Sequence, residues 1–105
     1  MKIQINTDSS VKGDERLDEI VEGLVAERLH RFRSELTRVE VHIRDENAEK
    51  GGPDDTRCMM EARPKGLGPV AVTHHASNVE DSVSGAAQKL RRALDSTLGK
   101  KNQHR

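Results

Sequence analysis

Seven residues, Arg38-Val39-Glu40-Val41-His42-Ile43-Arg44, carry the clearest pattern in the chain, with aliphatic side chains alternating with charged or polar ones. A period of two is that of a β-strand, so Val39, Val41 and Ile43 share one face and Arg38, Glu40, His42 and Arg44 the other. A strand with one apolar face belongs to a sheet covered on one side only. The other strand-like stretches repeat this asymmetry. Upstream, Lys2 to Asn6 alternates with Ile3 and Ile5 on one side. Downstream, Thr56 to Arg63 places Cys58, Met60 and Ala62 inward, and Val70, Val72 and His74 continue the pattern on a fourth strand.

Two stretches have helical spacing instead. From about Asp14 to Phe32, Leu17, Ile20, Val21, Leu24, Val25 and Phe32 form one stripe, and the acids crowd the first turns, where the helix dipole favours them. Arg28 falls inside that stripe, and the expectation is a stem buried past the sheet edge with the guanidinium in water. The last helix is capped by Ser77 or Asn78, with Glu80 or Asp81 at the capping-box position. It buries Val83, Ala86, Ala87, Leu90, Leu94 and Leu98, and Gly99 is read as its end. That leaves residues 1–99 as one domain and 100–105 as a basic, flexible tail. Thr7 to Gly13, Asn47 to Asp55 and Pro64 to Pro69 read as turns or loops.

The order strand, helix, three strands, helix gives an α+β domain whose two helices cover one face of a four-stranded sheet. A right-handed crossover makes the first two strands parallel neighbours, and the remaining strands form a meander. Both helices then run in one direction and end at one pole. That pole collects Arg28, Arg31, Arg33, Arg63, Lys65, Arg92, Lys100 and Lys101, and the same basic C-terminal stretch adds Lys89 and Arg91. Asp14, Glu15, Asp18, Asp45, Glu46, Glu49, Asp54, Asp55, Glu80 and Asp81 gather at the other pole. A chain of zero formal net charge therefore carries a local positive field that attracts polyanions.

Composition narrows the partner class. The chain has 105 residues, no Trp or Tyr and one Phe, Phe32, which lies inside an apolar pattern. Modules that read single-stranded bases stack them on exposed rings, so nucleic-acid contacts here are expected to phosphates and helical shape, without sequence readout. The single Cys58 forms no internal disulfide. With no apolar signal segment or membrane span in the sequence, a cytoplasmic location is expected, with no membrane partner.

Three stretches, Leu36-Thr37-Arg38-Val39-Glu40-Val41-His42, Thr73-His74-His75-Ala76-Ser77 and Asn78 through Ala86-Ala87-Gln88-Lys89-Leu90-Arg91-Arg92, resemble in order and spacing the hibernation-promoting factor and ribosome-associated inhibitor A family, the ribosomal subunit interface proteins. The resemblance spans Lys2 to Lys101. It implies a fold similar to a double-stranded-RNA-binding domain. It also implies binding to the small ribosomal subunit and its RNA near the decoding region, sterically blocking messenger and transfer RNA sites and holding idle ribosomes out of translation under stress. By position it points to Lys89, Arg92 and the Arg28 to Arg33 cluster as RNA contacts, and to a monomer off the ribosome. Where many members carry an acid and an aromatic at the start of the last helix, this chain has Asn78, Val79 and Glu80. Longer relatives add a C-terminal domain that pairs ribosomes, and no role through such a domain is expected here.

Other chemistries find little support. His42 and His75 fall on the outer face and Cys58 and His74 on the inner one, so the four do not converge on a metal, and no CxxC or HxxxH spacing exists. Cys58 reads as a small core residue and His74 as hydrogen-bonded at the sheet edge. No nucleophile elbow or phosphate loop is present, because a strand and not a helix follows Lys65-Gly66-Leu67-Gly68. The expectation is no enzyme, no cofactor and no small-molecule substrate. One rival reading stays open: the mixed-charge outer sheet face, with Arg44, Glu61, Arg63 and Thr73, or the acidic pole, as a protein-interaction surface without ribosome binding.

Overall fold

The computed structural model describes residues 1–11, 13–46 and 55–103, with side chains described as far as Gly99. Strands β1 (Lys2–Thr7), β2 (Leu36–Asp45), β3 (Thr56–Pro64) and β4 (Val70–Ala76) and helices α1 (Glu15–Leu29) and α2 (Val79–Gln103) follow in the expected order. The sheet runs β1-β2-β3-β4, with β1 parallel to β2 and the other pairs antiparallel. Register brings the aliphatic faces into rows: Ile5 beside Val41, Val41 opposite Met60, Met60 opposite Val72. Against that face pack Val21, Val25 and Leu29 of α1 and Val83, Ala86, Ala87, Leu90, Leu94 and Leu98 of α2, all buried.

Local chemistry fixes the helix starts. Asp14 caps α1, its carboxylate accepting from the Leu17 amide at 2.8 Å. Asn78, not Ser77, caps α2: its Oδ1 accepts from the Asp81 amide at 2.8 Å while its Nδ2 donates to the Asp81 carboxylate at 3.0 Å. The ends differ from the sequence reading. The α-helix α1 stops at Leu29 and tightens into a 3-10 turn at His30–Phe32, which tucks Phe32 into the core. Gly99 is not a stop, since α2 continues through Gln103 and residues 100–103 prolong the helix instead of forming a tail. Among the described residues only Gly66 has a positive φ, so the left-handed cap that would end α2 at Gly99 is absent.

The loop after β1 is tied to the end of β2. The Ser10 amide donates to the Asp8 carboxylate at 2.9 Å, the Ser10 hydroxyl donates to it as well, and the Asp45 amide donates to the Ser10 hydroxyl at 2.9 Å. These bonds from Ser10, helped by Arg44, hold the Asp8 carboxyl below its ordinary range. A lowered folded value means that the contribution is complete above the unfolded carboxylate pKa of about 4 and disappears as pH falls through the folded value. Asp8→Asn is therefore expected to flatten the acid limb of stability against pH, followed by urea unfolding at decreasing pH. An unchanged limb would show that Asp8 does not couple to folding.

His74 departs from its expected role. It faces the helices and makes no hydrogen bond among the described residues, and its imidazole lies so close over Gly85 that a Cβ there would overlap the ring. A glycine inside a helix costs about 1 kcal/mol relative to alanine, so the contact explains why the position lacks a side chain. Gly85→Ala is expected to destabilise the parent by about 1–2 kcal/mol through overpacking, yet to stabilise a His74→Ala background by up to about 1 kcal/mol. Urea unfolding of the four proteins tests this; equal effects in both backgrounds would rule the contact out as the cause.

Candidate nucleic-acid interface

The helices run in the same sense. Arg28 of α1 reaches Ser84 and Gln88 of α2, and Arg31, three residues later, pairs with Asp95 farther along. The end of α1 therefore lies beside the second half of α2. The Lys65 amide donates to the Glu35 carbonyl at 2.9 Å, which brings the β3–β4 turn to the same end of the molecule. That turn is closed by the Leu67 amide on the Pro64 carbonyl at 3.3 Å, with Gly66 at φ 74°.

Arg31, Arg33, Arg63, Lys65 and Arg92 are exposed at or near this end, and Arg91 is half-buried. Their surroundings differ. Arg31 is paired with Asp95 and stacks over the Phe32 ring at 4.7 Å. Arg33 donates to the His30 carbonyl at 2.8 Å within its own turn, and Arg63 meets Glu61 at 3.0 Å and Glu40 at 3.4 Å. Lys65, Arg91 and Arg92 have no side-chain hydrogen bond or ion pair among the described residues, so no acid there offsets their charge. Lys100 and Lys101 extend the backbone of α2 beyond them.

Two residues behave otherwise. Arg28 does not hold its guanidinium in water: it donates to Ser84 Oγ at 3.2 Å and Gln88 Oε1 at 3.3 Å, half-buried in the seam between the helices. A long cation in an apolar stripe had a partner on the neighbouring helix. Lys89 Nζ donates to the Thr73 carbonyl at 2.9 Å, which places its charge at the β4 edge. Two cations outside the sequence-derived set, Lys2 and Arg38, lie in register with Arg63 on the open face of the sheet. Alternation places both on that face, but only strand pairing reveals that they meet.

At the opposite end stand Asp14, Glu15, Asp18, Asp45, Glu46, Asp55, Glu80 and Asp81; Glu49 and Asp54 lie outside the described residues. The sorting is incomplete, because Arg44 and Arg57 also lie there, beside Asp8 at 3.6 Å and Glu46 at 3.8 Å. Cys58 and His74 face the helices, while His42 lies near Glu40 and His75 near Asp55 on the other side. Burial pushes the Cys58 thiol up to about 12, consistent with an uncharged core residue.

A family model described as sigma 54 modulation protein / S30EA ribosomal protein matches residues 3–102. The chain belongs to this family. The S30EA family comprises non-enzymatic factors. The N-terminal domain of Thermus thermophilus Protein Y superposes with a TM-score of 0.74 at 14% identity, covering 92% of this chain and 99% of that one. A ribosomal subunit interface protein from Coxiella burnetii gives 0.74 at 17% identity, covering 94% and 99%. At such identities the likeness carries the fold. No curated protein sequence matches. Among the described residues, no helix of this S30EA-family chain is long and apolar enough to cross a membrane.

Proposed function

We propose that this domain is a ribosome-associated translation regulator that binds small-subunit RNA through its basic pole and thereby blocks the messenger and transfer RNA sites. The observation that carries the reading is the convergence of two parallel helices and the β3–β4 turn, which leaves Arg33, Lys65, Arg91 and Arg92 at one end without acidic partners among the described residues. Guanidinium and ammonium groups so placed suit phosphate oxygens. The absence of any exposed Phe, Tyr or Trp among the described residues favours backbone contacts over base stacking. Membership of a family described as S30EA ribosomal protein, and the name of one structural neighbour, a ribosomal subunit interface protein, support the ribosome as partner.

Cosedimentation with purified small ribosomal subunits at low and moderate salt tests the reading. Several phosphate contacts release as many counterions, so affinity is expected to fall by about two to three orders of magnitude between roughly 50 and 200 mM salt. Failure to bind at low salt, or binding indifferent to salt, would refute it.

A further inference from the structure

The open face of the sheet carries an arrangement that the helix side does not explain. Lys2 of β1 lies beside Arg38 of β2, and Arg38 lies opposite Arg63 of β3. Cations on three neighbouring strands thus occupy a single cross-strand row at the basic end of the sheet. Like charges directly opposite one another are destabilising. A β-bulge lies at this very place: the register shifts between Leu36 and Arg38, and the Thr37 hydroxyl donates to the Arg63 carbonyl at 3.0 Å. Bulges re-aim side chains, and this one sets Arg38 against Arg63.

Two carboxylates in the next row, Glu40 and Glu61, steady the cluster. Glu40, whose side chain is only 19% exposed, takes Arg38 at 3.2 Å and Arg63 at 3.4 Å, and Glu61 takes Arg63 at 3.0 Å. They do not saturate it. A guanidinium has five donor hydrogens. Arg38 meets Glu40 through Nη2, and among the described residues its buried Nε has no hydrogen-bond partner, while Arg63 meets Glu61 through Nε and Glu40 through Nη2. Lys2 has no side-chain partner among the described residues. Both arginines stay partly exposed, at 36% and 49%. The acids therefore fix two guanidinium forks while leaving donors to spare, beside a free ammonium and next to the turn that carries Lys65.

We propose that the Lys2–Arg38–Arg63 row is a second RNA-phosphate contact, on the open face of the sheet, which adjoins the basic pole at Arg63 and adds Lys2 and Arg38 to it. The domain then grips RNA from two sides of one end, as a wedge between phosphate backbones. This rests on the ribosome-binding reading above and extends it to a face of the fold that reading does not use.

The test is the salt dependence of binding to small ribosomal subunits for the full chain and for Lys2→Gln, Arg38→Gln and the double variant. Each substitution is expected to weaken binding about fivefold at ~0.15 M salt and to lower the slope of log affinity against log salt by about one. Lys2→Gln, which breaks no internal contact, is expected to keep the parent's unfolding curve, so its loss of affinity is not a loss of fold. Parent-like affinity and slope in the double variant would overturn the proposal while leaving the pole intact, as would weaker binding with an unchanged slope. Failure of the parent itself to bind would instead strike the reading of function.

Discussion

Arg33→Glu, Lys65→Glu, Arg91→Glu and Arg92→Glu, introduced together, are expected to reduce binding to small ribosomal subunits by about a thousandfold or more at physiological salt. Each substitution removes one counterion-releasing contact and adds a charge that RNA repels, and four such changes act on the same end of the molecule. None of these side chains bridges two elements: Arg33 donates within its own turn, and the other three have no partner among the described residues. The variant should therefore keep a cooperative thermal transition and its far-UV circular dichroism. Arg28 is left out on purpose, because its bonds to Ser84 and Gln88 hold α1 to α2 and their loss would confuse binding with folding. Cosedimentation decides the matter; a folded quadruple variant that still travels with the subunit would remove the pole from consideration.

Leu90→Ala is expected to cost about 3–5 kcal/mol, the upper part of the range for deleting a large buried side chain. Leu90 is wholly buried in α2, and the core around it is almost entirely aliphatic, with Phe32 its one ring. Domains of this kind have about 5–15 kcal/mol in total, so the change consumes a large share of it. The urea midpoint should fall with little change in slope, and the thermal midpoint should drop by at least ~12 °C. A loss below about 1.5 kcal/mol would mean that the seam between α2 and the sheet is not closely packed.

What the sequence disclosed, and what it withheld, follows from the range of each interaction. Val39, Val41 and Ile43 repeat at the strand period, so the buried face of β2 was legible without its neighbours. The meander and crossover followed from connectivity, and with them the meeting of the helix ends. The extent of α2 did not, because an interior glycine costs only about 1 kcal/mol and a packed helix can carry it past Gly99. Arg28 was visible as an anomaly in an apolar stripe, but its partners lie some 60 residues away and depend on how the helices are set against each other. The same holds for Gly85, whose missing side chain makes sense only once His74 is seen over it. The row of Lys2, Arg38 and Arg63 required the register of three strands, and the bulge at Thr37 alters that register by one residue. Charge alone marked the helix-end cations; pairing was needed for those on the sheet.

Strand order in the sheet repeats strand order in the chain, and this bears on how the domain is assembled. The pairings of β2 with β3 and β3 with β4 join strands adjacent along the chain, and α2 then docks on β3 and β4 directly after them. The remaining pairing, β1 with β2, must close the long parallel crossover that contains α1, and so bears the largest loop entropy in the sheet. Contacts of that kind are slow to form. The segment closed by this pairing carries Lys2, Arg31 and Arg33, so a chain with β1 and α1 undocked lacks one strand of the cation row and two arginines of the helix-end cluster. Only the completed fold presents the whole set of cations, and any ligand that binds only that fold adds its binding free energy to the stability of the β1–β2 closure.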